Sequence, residues 1–185
     1  MIEAMIATQR VLTTDRLRLE PLHPRHAASI VSLFADPALS AYLAADFTQR
    51  GQAEALARRW LEHDQPAGLG HWAFRHDDAV IGVAHLVPST NLPGDLPEMG
   101  WYLSPRYGRR GLASEAAQRL LRHGLDDLRL ASVWALVHQH NQPSLRLAQR
   151  LGFLQVGIGV YYGALHRVHV ALPGVTSGPA DRLIR

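Results

Sequence analysis

YGRRGLASEA, residues 107–116, packs two glycines and two arginines into four consecutive positions and then runs at once into an alanine-rich helical pattern. Before it stands WYLS, residues 101–104, which reads as the end of a strand. A strand that passes through a short Gly/Arg loop into a helix start directs several unpaired backbone NH groups and the positive end of the helix dipole at one point. Such a point binds anions. Gly108 and Gly111 carry no Cβ to keep a phosphate off the backbone, and Arg109 and Arg110 add mobile positive charge. Taken alone, the stretch fits an ordinary exposed turn equally well. It is neither of the common nucleotide loops: GxxxxGK[ST] is absent, and the nearest approach to GxGxxG, GIGVYYG at 157–163, has the wrong spacing and leads into a strand pattern.

Working outward, DRLRLEPL (15–22) alternates apolar and charged residues as a half-buried strand does, with Pro21 and Pro24 closing it. Ala27, Ile30, Val31 and Phe34 recur at helical spacing from Pro24 on, and a second amphipathic stretch runs from Gln52 to His63. The segments 71–76, 79–87 and 97–104, separated by turn residues, predict a three-stranded meander. Ala113, Ala116, Ala117, Leu120, Leu121, Leu125 and Leu128 form one stripe and predict a helix over about 112–127, with Glu115 in its first turn and Arg122 and His123 toward its last. SVWALVH (132–138) is apolar on both faces and predicts a strand buried on both sides. A helix then starts at an Asn141 cap, with Pro143 in its first turn and Gly152 as its stop. Residues 153–160 and 164–172 predict a closing hairpin, and 173–185 a loose, Pro/Gly-rich tail.

With 185 residues, the chain fits a single domain, with a core over about 13–172. Its 47% apolar and 19% charged residues are those of a soluble globular protein, and no run approaches the roughly 18 apolar residues of a membrane span. Residues 1–9 lack the basic and apolar regions of a secretory signal, which points to the cytoplasm. There is no cysteine, hence no disulfide and no thiol nucleophile. All 19 basic residues are arginine, yet the net charge is only +3 and the arginines are dispersed, so a nucleic-acid partner is not called for. HQH (138–140) and HRVH (166–169) suggest no third ligand and HExxH is absent, so no metal is expected.

The opening stretch resembles the acyl-CoA pyrophosphate loop of the GCN5-related N-acetyltransferase (GNAT) superfamily, Q/R-x-x-G-x-G/A, whose last elements fall on Gly111, Leu112 and Ala113. The first position departs from the pattern, being Gly108. Asn141, Ser144 and the LGF of 151–153 match N-x-x-S-(x)6-L-G-F of the ribosomal-protein-alanine N-acetyltransferase-like (RimJ/RimL-type) branch. TTDRLRLEPL (13–22) and EMGWYLSP (98–105) resemble that branch's first and fourth strands. The resemblance implies an α/β (α+β) GNAT fold: a strongly curved mixed sheet of six to seven strands, helices on both faces, and a V-shaped splay between strands four and five. It implies acetyl-CoA in that splay, with the pantetheine arm on the backbone edge at Tyr102 and Leu103. The diphosphate would lie on Gly108, Arg109, Arg110, Gly111, Leu112, Ala113 and Ser114.

Transfer to an amine needs the neutral amine, and since amine pKa values run from about 8 to about 10.4, a base is useful. The resemblance offers Glu98, at the start of the fourth strand; a solvent-facing strand-end carboxylate is the alternative. Many relatives protonate the leaving thiolate with a tyrosine four residues before the Gly of the GF pair, where this chain has Ala148. Ser144 takes that role in the ribosomal-protein branch, with Tyr161 and Tyr162 as further donors; a simple helix-start hydroxyl is the alternative. Asn141 either caps the helix, contacts pantetheine, or does both. Phe47, Trp72, His85 and Tyr161 are expected as walls of the acceptor pocket, with His138 as a substrate-side neighbour. The implied partner is a primary amine, on a small molecule or a protein N-terminus, attacking directly in a ternary complex, and a homodimer is compatible. Two rival classes are a non-catalytic acyl-CoA sensor and, on arginine content alone, an RNA binder.

Overall fold

The computed structural model describes residues 10–43, 45–49 and 51–174 of the chain; most of the expected tail and the whole of residues 1–9 lie outside them. Among the described residues, eight strands form one mixed sheet: β1 (Leu12–Thr13), β2 (Arg18–Pro21), β3 (Gly70–His76), β4 (Ala79–Pro88), β5 (Pro97–Leu103), β6 (Val133–His138), β7 (Leu154–Tyr161) and β8 (Ala164–Ala171). Their order across the sheet is β1-β2-β3-β4-β5-β6-β8-β7. All neighbours are antiparallel except β5 and β6, which are parallel and meet at one pair, Glu98↔Trp134. Beyond that pair the two strands part, as the expected splay requires. The helices are α1 (Ala27–Phe34), α2 (Pro37–Ser40), α3 (Gln52–Glu62), α4 (Leu112–Arg122) and α5 (Gln142–Arg150).

The sheet has two differently built faces. On one, Trp72, Leu86, Met99, Val133 and Ala135 pack with Leu112, Ala116 and Leu120 of α4 and Leu147 and Ala148 of α5. On the other, Val83 packs with Ile30 and Phe34 of α1 and Leu56 of α3, and Phe47, Trp60 and Tyr102 close over them. The alternation of strand side chains decides which face each residue joins.

Three boundaries differ from expectation. Residues 14–17 form a turn rather than the start of a strand, because Thr14 N donates to Leu17 O and Leu17 N to Thr14 Oγ1; that turn adds β1, too short to show a period, to the seven strands expected. The α4 helix does not continue regularly to 127 but widens into a π-helical turn over His123–Asp127. There the buried His123 ring finds partners for both nitrogens, Gly68 O at 2.9 Å and Asp127 Oδ2 at 3.1 Å. The β6 strand is buried on one face only: Val133, Ala135 and Val137 are buried, while Trp134, Leu136 and His138 are half-buried. Its second face borders the splay rather than a packed layer.

Candidate active site at the splay between β5 and β6

Proline 105 begins a short 3-10 turn after β5, and Gly108 N closes it on Pro105 O at 3.0 Å. The chain then passes through two left-handed residues, Arg109 (φ 59°) and Gly111 (φ 78°), into α4. Gly111 is the N-cap, and the first bond behind it is Glu115 N to Gly111 O at 3.0 Å. The amides of Leu112, Ala113 and Ser114 therefore have no carbonyl of their own helix to bond. Arg109, Arg110 and Gly111 are exposed, and the Arg110 guanidinium lies 5.9 Å from the Tyr107 ring centroid.

This loop is anchored from below by groups that periodicity does not reveal. Glu115 accepts hydrogen bonds from Thr14 Oγ1 at 2.5 Å, Arg16 N at 3.0 Å and Arg16 Nε at 2.7 Å, and Arg16 Nη1 reaches Arg110 O at 3.0 Å. Burial opposes ionisation of Glu115, but hydrogen bonds from Thr14 and Arg16 and the Arg16 charge hold its carboxyl below the ordinary value. From the other side, Arg150 Nη2 bonds Ser114 Oγ at 3.3 Å. The turn at 14–17 is thereby tied to the helix start that follows the Gly/Arg loop.

On the inner side of the splay lies a cavity of about 770 Å³, lined by Phe47, His85, Glu98, Tyr102, His138, Asn141 and Ser144 among the residues singled out from sequence. Glu98 is 5% exposed, so it is not a solvent-facing strand end. Ser89 Oγ donates to its Oε2 at 2.5 Å and Tyr162 OH to its Oε1 at 2.8 Å. Ser89 is itself held by the amides of Asn91 and Leu92, each 3.1 Å from its Oγ. Tyr162 reaches Glu98 because the hairpin between β7 and β8 turns through Tyr162 (φ 51°) and Gly163 (φ 77°), two left-handed residues in the manner of a type I′ turn. Burial and the Glu98 charge push the Tyr162 hydroxyl well above its ordinary pKa, so it stays a donor.

Asn141 caps α5: its Oδ1 accepts from Ser144 N at 3.2 Å. That bond uses the backbone NH of Ser144, and the residue itself lines the cavity. His138 Nδ1 accepts from His140 N at 3.3 Å, so in the neutral ring the proton is on Nε2. Burial, with the neighbouring His166 and His140, lowers its pKa.

Two expected walls are corrected. Trp72 is fully buried on the α4/α5 face, its Nε1 donating to Arg10 O at 3.1 Å; its strand neighbour His71 is the one that lines the cavity, since successive residues point to opposite faces. Tyr161 does not line the cavity either; the turn gives that place to Tyr162. Sequence reading also missed Ser89 and Trp60, which sit in a loop and on a helix with no motif to mark them. Among the described residues no group of three or more His, Asp or Glu is placed to hold a metal ion, and no helix is long and apolar enough to cross a membrane.

Residues 16–154 match the model of the acetyltransferase (GNAT) domain family, and the chain belongs to that family. It is similar to the uncharacterized N-acetyltransferase p20 of Bacillus licheniformis, 28% identical over 152 residues that cover 80% of this chain and 84% of p20. It also matches the uncharacterized N-acetyltransferase YnaD of Bacillus subtilis, 34% identical over 83 residues, a match that spans 45% of this chain and about half (48%) of that protein. Among solved structures, the GNAT-family acetyltransferase from Bacillus anthracis superposes with a TM-score of 0.73 at 18% identity over 88% of this chain and 98% of that one. The RimJ of Mycobacterium smegmatis, in complex with CoA-disulfide, does so with a TM-score of 0.68 at 17% identity, over 85% and 82%. The fold is that of the GNAT acetyltransferases, and the family supports acetyl-CoA as acyl donor.

The site fits such a donor. Among the described residues β5 pairs with β6 only at Glu98↔Trp134, which leaves the edge of β5 toward Tyr102 and Leu103 unpaired on that side for an amide-bearing arm. The loop beyond it offers three open helix-start amides beside two arginines. The chemistry such a donor supplies is an activated acetyl group and a thiolate leaving group.

Proposed function

We propose that the protein is an acetyl-CoA-dependent N-acetyltransferase of the ribosomal-protein (RimJ/RimL-like) type. It acts as a single domain and transfers the acetyl group to a primary amine by direct attack in a ternary complex. The observation that carries this reading is the placement of Glu98. It is a buried carboxylate at the apex of the splay, with each oxygen on one hydroxyl donor and the rest of its shell facing the cavity. An incoming ammonium meets there a fixed acceptor for its proton. Ser89 and Tyr162 hold the carboxylate in orientation, which is the part of the cost that a fold prepays.

In this reading the amides of residues 109–114, with Arg109 and Arg110, hold the diphosphate. The β5 edge at Tyr102 and Leu103 orients the arm, and Asn141 keeps the start of α5 against it. Ser144 faces the position of the departing sulfur and gives it a hydrogen bond. Tyr162 is committed to Glu98 and Tyr161 does not line the cavity, which favours Ser144 over the tyrosines for that task. Membership of the ribosomal-protein branch is supported by the N-x-x-S and LGF residues at Asn141, Ser144 and 151–153, since solved neighbours at this identity speak only for the fold.

The test is release of free thiol from acetyl-CoA by the purified chain across a panel of primary amines. Amine-dependent release is the expected result. Tight acetyl-CoA binding without release by any amine would replace the enzyme with a sensor of acyl-CoA.

A further inference from the structure

Between Glu98 and the cavity rim, the walls are aromatic and carry lone pairs. The Trp60 ring stacks on His71, centroids 4.6 Å apart and planes at 28°, and lies 6.0 Å from Tyr102. His85 is 5.6 Å from His71 and 5.9 Å from Tyr102. The sheet register places His71, His85 and Gly100 in one row on the cavity face. The His85 ring lies in the space that a Cβ at residue 100 would need, so glycine there lets the imidazole extend across β5 toward the splay.

Two observations say what this wall prefers. First, His85 Nδ1 meets no hydrogen-bond partner and has almost no accessible surface; in the tautomer with its proton on Nε2, a turn of the ring toward a ligand donor would relieve that cost. Burial lowers the pKa of both imidazoles, that of His71 to about 2, so the pair stays uncharged and leaves any cation unopposed. Second, Asp64 and Asp95 join Glu98 on the lining against one guanidinium, Arg59. A flat ring bearing a cation finds faces to stack on and carboxylates to meet, whereas an acidic ligand finds a single partner.

We infer that the acceptor is a small cationic amine carried on a flat, unsaturated ring with a hydrogen-bond donor of its own, rather than a peptide N-terminus. The ring lies against Trp60 and Tyr102, its donor meets His85, and its ammonium reaches Glu98. A cavity of about 770 Å³ is in the range of small-ligand sites. This inference rests on the acetyltransferase reading for the fate of the amine but not for its binding.

The experiment uses the full chain with CoA present and measures binding of tryptamine, phenethylamine and alanyl-alanine amide by calorimetry, with thiol release from acetyl-CoA followed in parallel. Tryptamine should bind at least about tenfold more tightly than the dipeptide amide, and more tightly than phenethylamine, which lacks the ring donor. His85→Leu should cut tryptamine affinity by about tenfold while acetyl-CoA affinity stays the same. Trp60→Leu, at a half-buried helix position where leucine keeps an apolar side chain against Phe34, should do likewise and serves if the first variant does not fold. Dipeptide binding as tight as tryptamine, or variants that bind tryptamine like the parent, overturns the inference. Tryptamine binding without thiol release by it or by any other amine tested keeps the inference and removes the transferase reading. Thiol release with the dipeptide amide and no tryptamine binding does the opposite.

Discussion

The two ends of the site are built from different materials. The end proposed for the diphosphate, residues 104–115, is main chain: a 3-10 turn, two left-handed residues and an uncapped helix start. The end proposed for the acceptor is side chain, contributed by helices, a meander and a hairpin far apart in sequence. Backbone recognition tolerates most side-chain changes and fails on dihedral strain. Side-chain recognition tolerates backbone variation and fails one contact at a time. Glu98 stands between the two, at the single pair that joins β5 to β6 among the described residues, and a change there should be felt by the chemistry and by the acceptor's ammonium, and not at the diphosphate end.

Substitutions that separate the two ends can break this contrast, and the largest effect is expected at their junction. Glu98→Gln should lower kcat by on the order of 10²-fold or more, most at low pH where less free amine is present, with acetyl-CoA affinity nearly intact. A steady-state pH profile parallel to that of the parent would remove Glu98 from the reaction. Next is Gly111→Val: a β-branched residue at φ 78° costs about 1–3 kcal/mol of local strain, which the loop sheds by leaving the geometry that aims its amides. Acetyl-CoA affinity should fall by about 10- to 100-fold, and calorimetry showing normal affinity in a folded variant would count against the loop. Tyr162→Phe removes one of the two hydroxyl donors on Glu98; a hydrogen bond to a charged group contributes about 1.5–3 kcal/mol. It should lower kcat by about tenfold, with KM for acetyl-CoA unchanged; an unchanged kcat denies Tyr162 this role.

The smallest effect concerns the clamp beneath the loop. The folded-state pKa of Glu115 is depressed below 4.5. Its contribution to stability is therefore complete above the unfolded carboxyl value and is lost as pH falls through the folded one. With Arg16 half exposed, the pair contributes only about 1 kcal/mol. Glu115→Gln should lower Tm by a few degrees at pH 7 and by less at acid pH, as protonation of Glu115 removes the same interaction from the parent. Equal losses at both pH values would show that the clamp does not act through charge.

The contrast also explains what could be read in advance. The Gly/Arg loop was legible as a turn into a helix because its requirements are local: Gly108 and Gly111 stand where Cβ atoms are unwelcome, and a strand and a helix stripe flank them. The α5 helix was equally clear from Asn141, Pro143 and Gly152. Glu98 was picked out by its place at the head of a strand, but nothing local told a buried carboxylate from a solvent-facing one. Phe47 and His85 line the cavity, while Trp72 and Tyr161 yield to His71 and Tyr162. Both errors are one residue long, because in a strand apolar on both faces, or at a hairpin turn, composition does not say which of two neighbours points inward. Ser89 carried no signal, since its task depends on Glu98 arriving nine positions later from the paired strand.

Composition and periodicity by themselves determined most of the strands and helices and the Gly/Arg turn between β5 and α4, because helix stripes, caps and glycine conformations are settled within a few residues. Only the tertiary structure decided that β5 and β6 meet at one pair, that Glu98 lies buried there between two hydroxyls, and that His85 rests over Gly100. These depend on sheet order and on strand parity across several segments, and no local energy fixes either of them.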